Sequence, residues 1–249
     1  MLKRGKQPLQ KSMIRLLSIA DAISITNAIF GVLAILFLFS GIGTCGYFQT
    51  RASFTFIFLA LLADGLDGIV ARKTRKSDLG EYLESMADMT SLVIAPAAFI
   101  YYIYTSLDVF NAYRYIYLLF ALILFLSFGI IRLASFHIMK EDKFFIGLPA
   151  SVSTIILVII AWFEVDFIFL LPSVIIIGAT MASDIIFIKP GIKINAIASI
   201  LIVFSLILYN NYYKIAPMLL LAAILIYAIG SPIYTRFTRK DKKVILNKK

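Results

Sequence analysis

The stretch Asp64-Gly65-Leu-Asp67-Gly68-Ile-Val-Ala71-Arg72, followed after seven residues by Gly80-Glu-Tyr-Leu-Glu84-Ser-Met-Ala-Asp88, decides how the chain is read. It puts Asp64, Asp67, Glu84 and Asp88 at the adjoining ends of two apolar runs, 52–71 and 83–104. One acid near the middle of a membrane helix costs roughly 2.5–3.5 kcal/mol, so four carboxylates in this setting need compensation. Helical periodicity supplies a route. Asp64 and Asp67 are three residues apart and Glu84 and Asp88 four apart, so each pair shares a face of its helix. Turned toward each other, the two faces make an all-oxygen pocket that suits Mg²⁺ or Mn²⁺. A charged helix rim solvated by headgroup water is the plainer explanation. The glycines, Ala71 and Arg72 around the acids fit a metal and phosphate site better.

Outward from this stretch the chain is membrane-like. Of 249 residues 61% are hydrophobic and 15% charged, and the mean hydropathy is +0.93, well above a typical soluble domain. Apolar runs recur at 22–41, 52–71, 83–104, 115–137, 149–163, 167–183, 194–209 and 215–234. Most approach the ~20 residues that cross the hydrocarbon core as a helix. The fifth and sixth are short and separated only by the Glu164–Asp166 turn. None alternates in the manner of an outer-membrane barrel. The expectation is an all-α polytopic membrane protein, one bundle of about eight transmembrane helices forming a single domain over 1–249.

Basic residues orient this bundle. Lys3 to Arg15, Arg72 to Lys76, Arg132 to Lys143, Lys189, Lys193 and the tail from Arg236 onward share one side. That leaves Arg51, Arg114 and Lys214 of the 24 Lys and Arg on the other. The positive-inside rule then predicts that both termini and the carboxylates face the cytoplasm, which requires an even number of helices. The net charge of +10 flanks membrane helices, so anionic headgroups are a simpler partner than nucleic acid. The stretch 236–249 reads as a basic cytosolic tail, and 12–20 as a short amphipathic helix at the interface. No cleavable leader is expected. The single Cys45 excludes an internal disulfide and a thiolate metal site. His137, the only histidine, reads as an interfacial residue, and Trp162, Tyr101, Tyr102, Tyr104, Tyr115 and Tyr117 as interfacial anchors.

The acids suggest a chemistry. Two divalent ions held by shared carboxylates can bridge a pyrophosphate and stabilise the leaving phosphate. Gly65, Gly68 and Gly80 let a large polar group approach the backbone. Arg72, where the second helix leaves the membrane, can pair with a phosphate oxygen. A remaining acid can take a proton from an attacking hydroxyl. The pocket thus points to phosphoryl transfer from a pyrophosphate-containing donor at the cytosolic headgroup level.

At these residues the chain resembles the CDP-alcohol phosphotransferases, whose signature is Asp-x2-Asp-Gly-x2-Ala-Arg, about eight residues, then Gly-x3-Asp-x3-Asp. Every fixed position of this motif core, 64–88, matches except that Glu84 stands for an aspartate, and the spacer is one residue shorter. Glutamate keeps the charge but reaches one methylene farther. The resemblance implies that Asp64, Asp67, Glu84 and Asp88 hold a metal pair, with Asp88 also the general base. It implies that Gly68, Ala71 and Arg72 contact the CDP moiety and that Gly80 permits close approach. It further implies a six-helix core with two added C-terminal helices, a lipid groove open to the bilayer, and a homodimer in a prokaryotic cell membrane.

Flanking residues bear on the acceptor. Asp88-Met-Thr-Ser91-Leu-Val-Ile-Ala95-Pro96-Ala97, Arg132-Leu-Ala-Ser-Phe136 and Phe145-Ile-Gly147-Leu-Pro149 are similar to elements of the serine-using branch, although Leu92-Val93 stands where that branch has Phe-Gly. The similarity extends over most of 20–185. It implies transfer of a phosphatidyl-type group from CDP-diacylglycerol or CDP-archaeol to L-serine, releasing CMP. A carboxylate-bearing acceptor suits Arg132 or Lys143, and Ser91 lies one turn beyond Asp88. Snorkelling to the headgroups is the alternative for Arg132, and helix packing for Ser91. Glycerol 3-phosphate or inositol phosphate as acceptor, and a divalent-cation transporter, are the competing functions.

Overall fold

The computed structural model describes residues 17–40, 46–71, 79–106, 111–136, 144–208 and 215–246. Its helices are α1 (Ile19–Leu38), α2 (Gly46–Ala71), α3 (Gly80–Asp88), α4 (Ala95–Thr105), α5 (Ala112–Phe136), α6 (Ala150–Trp162), α7 (Phe167–Met181), α8 (Ile192–Leu208) and α9 (Ile215–Leu246). A π-helical turn, Met89–Ile94, joins α3 to α4, so the described residues form eight helical rods. Among the described residues each of the eight apolar runs is helical over most of its length. Four rods, α1, α3 through α4, α5 and α9, contain stretches long and apolar enough to cross a membrane.

Local chemistry sets the helix ends. Ser18 caps α1: its side chain accepts from the Asp21 amide while Asp21 Oδ2 accepts from the Ser18 amide at 2.6 Å. The π turn has an equally local cause. Pro96 has no amide hydrogen to give the Leu92 carbonyl four residues back, and its ring would crowd that oxygen in a regular helix. The widened turn makes room, with the Ala95 amide reaching back five residues to Thr90. The released Leu92 oxygen accepts from Thr154 Oγ1 of α6 at 2.6 Å.

The core gathers around α6, whose residues from Val152 to Ala161 are nearly all buried. A helix apolar on every side belongs in the centre. Phe54, Phe58, Phe99 and Phe125 are fully buried around it, with the Phe54 ring 4.3 Å from Phe58 and 4.7 Å from Trp162. Trp162 and Tyr104 are therefore core residues and not the interfacial anchors expected of them. The Tyr104 hydroxyl donates to the Val165 carbonyl. By contrast Ile116, Phe120 and Ile123 of α5, Ile200 and Ile207 of α8, and Ile226 and Ile229 of α9 are exposed, as lipid-facing side chains should be.

One element is absent from the sequence reading. Phe144–Ile146 (β1) and Ile186–Ile188 (β2) pair antiparallel, with Phe145 opposite Phe187. α9 fastens this ribbon through three hydroxyls at four-residue spacing. Tyr227 donates to the Ile188 carbonyl (2.8 Å), Ser231 accepts from the Ile188 amide (2.6 Å), and Thr235 donates to the Ile186 carbonyl (3.1 Å). Gly147, at φ +79°, turns the chain from β1 into α6 where a side chain would strike the Met181 carbonyl. The expected amphipathic helix at 12–20 lies largely outside the described residues, and α1 begins only at Ile19.

Candidate active site

Asp64 lies on the last two turns of α2 and is half-buried, as are Glu84 and Asp88 of α3. Of Asp67, Gly68 and Ala71 only the helical backbone is described. Gly80 is the first residue of α3. Arg72, His137 and Lys143 lie outside the described residues, as do Lys248 and Lys249 of the tail.

The nearest neighbour of α3 is α1, an arrangement the spacing of the acids did not suggest. Asn27 of α1, 2% exposed, donates from Nδ2 to Asp88 Oδ1 at 3.0 Å. The approach is set one turn on. A Cβ on Gly31 would lie 2.6 Å from Ser91 Cα, so only glycine lets α1 come this close to the π turn. Ser91 is fully buried there, and its hydroxyl donates to the Ala87 carbonyl at 2.9 Å. Among the described residues no three acids gather into a group that could hold a metal ion. Asp64, Glu84 and Asp88 nevertheless offer only carboxylate oxygens, the donor chemistry of a hard divalent ion.

Arg132 is 6% exposed, so it does not snorkel to the headgroups. Its Nε donates to the Leu148 carbonyl at 3.4 Å, just past the Gly147 turn. Gly129, one turn before it, packs on Val93 of the π turn, and α5, separated from α4 by six residues, returns along it with the Tyr115 hydroxyl 3.4 Å from that of Tyr101. Stepping from Gly129 to Arg132 therefore moves toward Asp88. Between α1 and α3, a cleft of about 340 Å³ is lined by Ala28, Val32, Leu83, Met86, Ala87 and Thr90 among others. It is apolar and adjoins the turns that carry Glu84 and Asp88.

The CDP-alcohol phosphatidyltransferase profile matches residues 17–233. The chain belongs to this family. The transferase is 34% identical over 177 residues to the CDP-diacylglycerol–serine O-phosphatidyltransferase of Methanocaldococcus jannaschii, covering 70% of this chain and 75% of that one. It is 34% identical over 149 residues to the archaetidylserine synthase of Methanothermobacter thermautotrophicus, covering 58% of each. With the CDP-diacylglycerol–serine O-phosphatidyltransferase of Saccharomyces cerevisiae it shares 36% over 153 residues, covering 55% of this chain and 51% of that one. The last two matches span little more than half of those relatives. The protein is thus a CDP-alcohol phosphatidyltransferase with apolar helices able to cross a membrane, an integral membrane enzyme of lipid synthesis.

Asn27, the hydrogen-bond partner of Asp88, is the residue beside the candidate site that sequence reasoning missed. It lies 61 residues from Asp88. An amide inside an apolar run was the available signal, because such a group in a membrane helix needs a partner.

Proposed function

We propose that the transferase moves a phosphatidyl-type group from a CDP-lipid to the hydroxyl of L-serine, giving the phosphoserine lipid and CMP. The observation that carries this reading is Arg132, a buried guanidinium toward the Asp88 side of the bundle, matched to an acceptor that bears a carboxylate. The names of the relatives support serine. Ser91 and Lys143 are the other acceptor-side candidates.

Asp88 takes the proton of the serine hydroxyl, and the serine oxygen forms a bond to the β-phosphorus, the one bearing the lipid. The bond from that phosphorus to the bridging oxygen breaks, and CMP leaves with the electron pair. Gly68, Ala71 and Arg72 hold the CDP moiety, and Gly80 leaves room for it. Asp64, Asp67, Glu84 and Asp88 would hold the divalent ions, Mg²⁺ or Mn²⁺. When bound, such ions neutralise the pyrophosphate and stabilise the leaving group. One lipid chain fits the apolar cleft between α1 and α3. The active site and both termini face the cytoplasm, and the enzyme works as a homodimer.

The test is CMP release by the detergent-solubilised protein given a CDP-lipid, Mn²⁺ or Mg²⁺, and L-serine. Serine-dependent release that stops with chelator is expected, and diacyl and archaeol donors run side by side identify the tails. Release with glycerol 3-phosphate or inositol phosphate but not serine would overturn the acceptor.

A further inference from the structure

We propose that Asn27 is a positioning residue for Asp88, holding the carboxylate in the orientation from which it works. The inference rests on the reading above, in which Asp88 acts on the acceptor hydroxyl. Asn27 belongs to a buried stripe of α1, Asp21, Ser24, Asn27, Gly31, Ala34 and Leu38, spaced three and four residues apart along one face. Gly31 brings that face against the π turn, within reach of a side chain as short as asparagine. Nδ2 of Asn27 meets Asp88 Oδ1 at 3.0 Å, while its own Oδ1 is buried with no hydrogen-bond partner among the described residues.

That orphaned oxygen is the informative atom. Leaving a buried acceptor unsatisfied costs about 1–3 kcal/mol, whereas a leucine of similar volume would leave nothing unsatisfied on α1. The amide is therefore poorly explained as packing and well explained by what its NH₂ does. The amide also fixes its own orientation, because only the nitrogen end can face a carboxylate. Fixing Oδ1 sets the second side-chain torsion of Asp88 and with it the place of Oδ2. A short side chain on a close-packed helix does this more rigidly than a long one on a loop.

The test uses Asn27→Ala and Asn27→Leu in the full-length protein. We expect kcat to fall about 10–100-fold, the usual effect of removing a residue that orients a reactive group. KM for CDP-lipid and for serine should stay within about threefold, and Mn²⁺ binding, followed by the EPR signal of the free ion, should weaken by less than kcat falls, because three other carboxylates still hold the ions. In an Asp88→Glu background, whose longer side chain has already left the asparagine, Asn27→Ala should lower kcat by less than about threefold. A folded variant with kcat within twofold of the parent would overturn the proposal. So would an equal loss in the Asp88→Glu background, loss of Mn²⁺ binding, or failure of both variants to fold, which would make Asn27 a structural residue. Full turnover by Asp88→Asn would instead remove the reading beneath it.

Discussion

Asp88 and Arg132 carry opposite charges into the same bundle, and the protein holds them in different ways. Asp88 is met by the side chain of Asn27 on a directly packed helix, at a spacing fixed by Gly31 against Ser91. Arg132 is met by a backbone carbonyl, that of Leu148, which stands where it does because β1 pairs with β2 and β2 is fastened to α9 by Tyr227, Ser231 and Thr235. The carboxylate is placed by two helices. The guanidinium is placed by a relay of short elements far apart in sequence. A contact of the first kind tolerates change elsewhere in the bundle, whereas one of the second kind can be disturbed from the C-terminal helix.

The comparison can be broken at several points. The largest effect is expected from Asp64→Asn, which should take CMP release below detection while leaving the protein folded in detergent. Turnover within tenfold of the parent would make the acids a solvated rim. Arg132→Lys comes next. A point charge cannot reproduce the planar fork, so KM for L-serine should rise by about tenfold, equivalent to about 1.4 kcal/mol, with KM for CDP-lipid little changed. Equal increases in both would assign Arg132 to the fold. Thr154→Val strands the Leu92 carbonyl of the π turn and should lower stability by about 1–3 kcal/mol, read as a drop in the thermal midpoint in detergent. An unchanged midpoint would mean that Leu92 needs no partner. Ser231→Ala removes one of three ribbon fasteners and should cost about 1 kcal/mol. If the relay operates, the same variant raises KM for serine slightly, and a serine KM equal to the parent's would uncouple α9 from Arg132.

The same contrast explains what could be read in the chain. The eight helical runs and the motif from Asp64 to Asp88 are local patterns, fixed by apolar length and by spacings of three and four residues, and the helices follow them closely. The β ribbon left no such trace, because strands of three residues are too short for period-two alternation to register. The π turn did leave one, in Pro96, but a proline in a membrane helix signals a kink as readily as a widened turn. Trp162 and Tyr104 were misplaced because burial depends on which helix takes the centre, and α6, the shortest of the apolar runs, took it. Asn27 escaped because a lone amide names no partner until the packing of α1 is known.

The π turn has a consequence for the rod that contains it. A regular α-helix ties every side chain to one angular phase, advancing about 100° per residue, so the direction of Asp88 would dictate the direction of Phe99. The turn at Met89–Ile94 breaks that tie. The part before it presents Asp88 to α1, and the part after it presents Phe99 and Ile103 to the core, each with its own phase. The candidate site and the anchorage share one continuous rod without sharing one orientation.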